Sequence, residues 1–268
     1  MRKTEEKRKQ RWHEIRNAVL MLCLTVAMLS TATYAWFTLT DQPMVKGLKM
    51  TATAATGLKI AKSASDVFGQ EITFEQEQEK KLVPVTNDGT GATFAEAKYS
   101  GDTVVDTTPV TDETELTQNY VAKYVYYLKA DAVPAGGLKV GLVPESASGN
   151  AERGGSFVRT TASYPATASN AIRVGFLVNN QWSIFEPNKG NVNSGKSAPS
   201  SVGDPVAPNA SQSGGTITYD SKGYLLMLNT TDPVKVEMYL WIEGKDASCV
   251  DEIQEDKLDA QIQFTVVN

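Results

Sequence analysis

Residues 234–242, VKVEMYLWI, alternate with a period of two: Val234, Val236, Met238, Leu240 and Ile242 lie on one side, Lys235, Glu237, Tyr239 and Trp241 on the other. That period belongs to an extended chain with one face toward a core, since helical apolar positions recur every three or four residues. The C-terminal stretch LDAQIQFTVV, 258–267, repeats the device, with Leu258, Ala260, Ile262, Phe264 and Val266 set against Asp259, Gln261, Gln263 and Thr265.

Further strands are predicted at 48–53, 57–61, 119–129, 137–143, 171–178, 216–219 and 223–229. They are separated by the turn sequences NDG at 87, PAGG at 134, NN at 179, DSKG at 220 and TTDP at 230. Many short alternating strands without βαβ units predict an all-β fold, an antiparallel β-sandwich of jelly-roll type. GLK recurs at Gly47, Gly57 and Gly137 as a turn glycine leading into a strand, at spacings too unequal for a repeat. Short helices are expected over 74–81 and within 246–257, where Asp246 or Ser248 supplies a cap. Residues 188–215 are rich in Gly, Ser, Asn and Pro and predict a long polar loop.

The chain has 268 residues and a formal charge of −5, with a marked asymmetry. Residues 1–16 hold seven Lys/Arg and three Glu, leaving 19 basic and 28 acidic residues in the remainder. Phosphate recognition needs clustered cations, so the acidic body argues against nucleic acid as a partner. Residues 17–40 carry no charge, and within them 18–29, AVLMLCLTVAML, is nearly all apolar. A basic segment, a short apolar segment and small residues after it form the layout of a secretory signal, with cleavage between Ala35 and Trp36. The rival reading is a retained anchor, because about 24 helical residues at roughly 1.5 Å each span a bilayer core. Both readings place residues 1–35 as signal or anchor, keep Lys/Arg inside, and put a single extracellular domain at 36–268, with membrane contact only through the N-terminal segment.

The chemistry is bounded by what the exported part lacks. The sole histidine, His13, lies in the basic leader, so no imidazole is left for a Ser-His-Asp or Cys-His site or a His-ligated zinc. Cys23 is apolar filler in the leader, and Cys249 is the only later thiol, which gives no disulfide. The expectation is therefore a protein that is not an enzyme, with no cofactor. A hydrolase working by carboxylates alone needs two facing acids, and Glu186 near Trp182 or Glu243 near Trp241 are the named candidates, with each tryptophan as a sugar platform. The acidic runs TDETE, 111–115, and DEIQED, 251–256, offer oxygens to calcium without the spacing of a calcium loop. NAS at 209 and NTT at 229 are formal glycosylation sequons.

Thr33-Tyr34-Ala35-Trp36-Phe37, with Asp41 close behind, resembles the leader end of the TasA and camelysin group, biofilm-matrix proteins of Gram-positive bacteria processed by the signal peptidase SipW. GLKMTA and GLKI are similar to the strand that follows the leader in that group, and WIEGKDASC, 241–249, to tails of related exported proteins. The resemblance implies an extracellular or cell-surface jelly-roll subunit that assembles with itself into fibres by β-strand addition. Residues 36–45 would be donated to a neighbour, with Trp36 and Phe37 as anchors; the alternative is that they begin the domain's own first strand. Camelysin-like proteins are also classed as metallopeptidases, an activity for which this chain has no histidine after residue 13. The competing function is a membrane-anchored surface adhesin or carbohydrate-binding module.

Overall fold

The computed structural model describes residue 21 and residues 44–52, 57–74, 80–100, 103–145, 154–160, 170–187, 209–213, 216–219, 222–249 and 257–267. The chain divides into two units, Met1–Asp41 and Gln42–Asn268, and the fold described below is that of the second. It is all-β, with seventeen strands among the described residues.

The first sheet contains β1 (Met44–Ala52), β3 (Glu71–Phe74), β4 (Lys80–Lys81), β9 (Leu138–Leu142), β10 (Phe157–Thr160), β15 (Leu226–Leu228) and β17 (Lys257–Val266). Its central order is β15-β9-β17-β1-β3, with β10 also on β17 and β4 on β1. The second sheet runs β14 (Thr216–Tyr219), β13 (Ala210–Ser213), β12 (Gln181–Glu186), β11 (Ile172–Val178), β16 (Val234–Ile242), β8 (Val121–Ala130), β2 (Leu58–Ala61). A third, three-stranded sheet is β5 (Val85–Asn87), β6 (Phe94–Ser100) and β7 (Thr103–Val110). Most neighbours are antiparallel; β1 with β17 and β12 with β13 are parallel, which an antiparallel sandwich does not contain.

The period-two faces of the first two sheets meet in one apolar core. Val236, Met238, Leu240 and Ile242 of β16 and Val174 and Phe176 of β11 are buried with Val140 and Leu142 of β9 and Ile262 and Phe264 of β17. Each such large side chain contributes about 1.5–3 kcal/mol relative to exposure. Tyr126 and Phe264 lie 5.8 Å apart between ring centroids and Phe176 and Phe264 6.2 Å, so aromatics from both sheets interlock.

Predicted strands at β2, β8, β9, β11, β14, β15, β16 and β17 are present, and the turn chemistry explains their ends. Asn179 and Asn180 adopt φ of 50° and 61°, the left-handed pair that joins β11 to β12 as a two-residue hairpin. Gly57 and Gly137 stand at φ 77° and 82° immediately before their strands, as the GLK reading requires. Three expectations are corrected. Phe74, Lys80 and Lys81 are strand residues paired with β1, so no helix spans 74–81; residues 75–79 lie outside the described residues. Residues 246–249 form turns, in which the Asp246 carboxylate accepts from the Ser248 amide at 2.8 Å instead of capping a helix; the rest of that predicted segment lies outside the described residues. The polar run 188–215 is not wholly loop, because Ala210–Ser213 is strand β13, held between β12 and β14 by main-chain pairing that its composition does not announce.

The strand predicted over 119–129 begins at Val121. An α-helical turn, Glu113–Glu115, and a π-helical turn, Leu116–Tyr120, precede it, and Asp112 caps the first by accepting from the Glu115 amide at 2.9 Å.

Candidate functional site

The outer face of the second sheet carries the side chains that sequence reading singled out. Along β16 it presents Lys235, Glu237, Tyr239 and Trp241, and Glu243 continues the row just beyond the strand. Cross-strand register sets Arg173 of β11 beside Trp241 and Gly175 beside both Tyr239 of β16 and Ile184 of β12. One half of this face is covered by the third sheet and the turn before β8. Val85, Phe94 and Tyr120 form a second buried cluster with Val121, Ile184, Tyr239 and Trp241.

The cover is fitted to the rings. Phe94 stands edge-on to Trp241 at 5.3 Å and 88°, and Trp182 lies 4.7 Å from Tyr239. Two glycines make room for Trp182: a Cβ on Gly91 would come within 2.1 Å of its Cδ2, and one on Gly175 within 2.8 Å of its Cζ3. Gly91 also has φ of 80°, which suits glycine alone at little cost. Trp241 has no exposed surface, so the reading of it as a sugar platform is overturned: the third sheet covers it. Trp182, half-buried, belongs to the same cluster.

Beside the rings lies a buried group of charges. The Arg173 guanidinium is 2.8 Å from Asp246 and 3.4 Å from Glu186, and all three are at least nine-tenths buried. Glu243 is wholly buried, and its carboxylate accepts from Asn87 N and Trp241 Nε1, each at 3.3 Å, and from Lys245 N at 3.2 Å. Burial pushes the Glu243 carboxyl above the ordinary glutamate value, and the Thr86 side chain, Arg173, Lys245 N and the Trp241 ring pull the other way without cancelling it. The structure thus brings together both acids named from the sequence, Glu186 and Glu243, and adds Arg173 and Asp246, which no local motif marks. An arginine on a strand otherwise reading IRVGFLV is the one signal that could have found them. Chemically, the group ties β11, β12 and the turn after β16 together through Arg173, and a pocket between the first two sheets is lined mostly by apolar side chains, Phe176 and Ile262 among them.

The other end of the same row is different. Glu237, part-buried, pairs with Lys123 and Lys235; burial raises its carboxyl, but the neighbouring donors outweigh it and hold the group well below the usual range, at about 2.

The remaining candidates are placed as follows. Ala35, Trp36 and Phe37 lie outside the described residues, as does 251–256. Met44 and Val45, the end of the 36–45 donor segment, open the domain's own strand β1, opposite Lys257 and Leu258 on one side and Lys81 and Lys80 on the other. In TDETE, Asp112 is a cap and Glu113 pairs with Lys123 at 2.7 Å. Among the described residues no group of three or more His, Cys, Asp or Glu is arranged to hold a metal ion. Asn209 of the first sequon is tied at both ends of its amide, accepting from Ile184 N at 2.6 Å and donating to the Trp182 carbonyl at 3.3 Å. Asn229 of the second is exposed. Cys249 is buried, 3.3 Å from the Tyr99 hydroxyl.

Sheet edges decide where another strand could be added. On β7, Pro109 has no N–H to offer, the Thr107 amide donates to the Asp106 carboxylate at 2.8 Å, and a bulge interrupts the register between Lys98 and Tyr99 of its partner. The β2 edge is closed by Ile60 and Gly69, whose amides donate to each other's carbonyls at 2.9 and 3.0 Å. At the far side of the second sheet, the Tyr219 hydroxyl of β14 accepts from Leu142 N of the first sheet at 2.6 Å. By contrast β1 lies inside the first sheet, between β17 and β3. Among the described residues no helix is long and apolar enough to cross a membrane. Comparison with protein families, with curated proteins and with solved structures returned no match.

Proposed function

We propose that the protein is a non-enzymatic extracellular structural subunit, of a matrix fibre or cell surface, whose β-sandwich is of jelly-roll type and which associates with its own copies by β-strand addition. In this reading signal peptidase cleaves between Ala35 and Trp36, and the freed segment, with Trp36 and Phe37 as anchors, reaches a neighbouring subunit.

The observation that carries the proposal is the position of β1. Among the described residues it is the first strand, and its main chain is paired on both sides, parallel to β17 from Met44–Lys257 to Ala52–Phe264 and antiparallel to β3 and β4. A terminal strand of this kind makes the same hydrogen bonds whether it comes from its own chain or from the next. The β7 and β2 edges are blocked by Pro109, Asp106 and the Ile60–Gly69 bridge, which favours exchange of the terminal strand over simple edge stacking.

Electron microscopy of the protein beginning at Trp36 tests assembly, and fibres are expected. A cysteine pair at the facing positions Thr51 and Gln263 tests the mode. Disulfides that join different chains, seen as a ladder on a denaturing gel, support exchange. A monomer that stays non-fibrillar under assembly conditions, with the disulfide closed within each chain, refutes it.

A further inference from the structure

The third sheet is attached to the second through a short stretch of chain. Gly244 N donates to the Val85 carbonyl at 3.1 Å, the Tyr99 hydroxyl to the Gly244 carbonyl at 2.7 Å, and Asn87 N to the Glu243 carboxylate at 3.3 Å. All three bonds converge on residues 243–244, directly beside the buried charges.

Arg173 from β11 is the charge that acts on Glu243, and Lys245 N of its own loop donates to it; Arg173 in turn holds Asp246 and Glu186 of β12, and Tyr99 of β6 meets Cys249 beside the Gly244 carbonyl. β5 brings no titratable group; it offers the Asn87 amide and the buried Thr86 side chain. The Arg173 guanidinium is committed to Asp246 and Glu186, so three carboxylates share one cation. Glu243 receives neutral donors only, at 3.2 to 3.3 Å, and has no exposed surface. A buried carboxylate whose one nearby cation is already held by two other acids costs several kcal/mol, and either a proton or water relieves it. A proton leaves the packing intact, whereas water has to enter beneath β5.

We propose that Glu243 is a proton-operated latch: with its carboxyl protonated the sheet β5–β7 is held down on the face that carries Trp182, Tyr239 and Trp241, and on ionisation the sheet lifts and uncovers those rings. The direction of its proton affinity agrees with this. Because the folded value lies above the unfolded one, the latch's contribution is complete below the ordinary glutamate range and is lost as pH rises through the raised value. Opening therefore belongs to the alkaline side, opposite to the usual behaviour of a paired carboxylate.

Hydrogen exchange of the full-length chain, read by mass spectrometry from about pH 5 to about pH 9 and corrected for the intrinsic chemical rate, tests the latch. Amides of 85–110 lose protection by about tenfold per pH unit as pH rises toward the raised value and level off above it, while those of β9 and β17 hold. In Glu243→Gln the protection of 85–110 is independent of pH. In Glu186→Gln, which removes a competing negative charge and keeps Glu243, the fall ends at lower pH and is smaller in total. The second variant keeps the test decisive where the first does not fold. Protection of 85–110 that is flat with pH in the unaltered protein, or a fall that either folded variant reproduces unchanged, overturns the proposal.

Discussion

Glu237 and Glu243 stand on the same side of one strand direction, six residues apart, and their environments drive their protons in opposite directions. Glu237 is part-buried between two lysines, whose charges and donated hydrogen bonds outweigh the cost of burial and favour the carboxylate. Glu243 sits beneath a sheet, where the one nearby guanidinium already has two partners. An ion pair at the surface is therefore nearly optional, whereas a charge under a cover binds the cover to the proton balance of the site.

Arg173→Met breaks the comparison most sharply. It leaves Asp246, Glu186 and Glu243 without a cation in a buried place, and a loss of about 3–5 kcal/mol in chemical-denaturant unfolding is expected. Gly175→Ala tests how closely the cover is fitted. Its Cβ would lie 2.8 Å from Trp182 and 3.0 Å from Trp241, so a loss of about 1–3 kcal/mol and a change in near-ultraviolet circular dichroism are expected.

The opposite face of the second sheet allows the reverse experiment. Tyr126 is fully buried among apolar side chains, and its hydroxyl has no hydrogen-bond partner. Tyr126→Phe is expected to be neutral or stabilising by up to about 1 kcal/mol in thermal unfolding, since it removes a desolvated hydroxyl and keeps the ring.

The smallest effect belongs to Glu237→Gln, about 0.2–1 kcal/mol at neutral pH. Its pH signature sharpens the contrast. The Glu237 value is lowered in the folded protein to about 2, so its contribution is present above the ordinary glutamate value and fades as pH falls through about 2. Acid titration of unfolding should therefore lose this component in Glu237→Gln, while the alkaline effect assigned to Glu243 stays.

Much of the framework was legible because exposure and burial alternate along single strands. Val234–Ile242 was read with its bounds intact, and the C-terminal strand nearly so. The third sheet was missed because VTN, FAEAKYS and TVVDTTPV mix apolar residues with Lys, Asp and Pro and show no clear period. That omission also misjudged Trp241. An outward tryptophan at period two reads as exposed unless the sequence reveals what covers it, and here the cover comes from residues more than a hundred positions earlier. Glu186 and Glu243, singled out as hydrolase candidates each beside a tryptophan, both prove to be buried. Their meeting around Arg173 and Asp246 was not legible, because it depends on register between strands distant in the chain.

The sequence by itself determined that this is a β protein, which faces of its strands are apolar, where its glycine and asparagine turns fall, and that no histidine chemistry follows residue 13. These follow from the local geometry of an extended chain and from the inventory of side chains, neither of which needs distant contacts. The tertiary structure alone decided that β1 lies parallel to β17, that a third sheet covers the tryptophans, and that one glutamate of a strand row keeps its charge between two lysines while the other is sealed away from water. Those outcomes depend on which distant segments meet, and burial acts on a carboxyl only through the neighbours that such meetings supply.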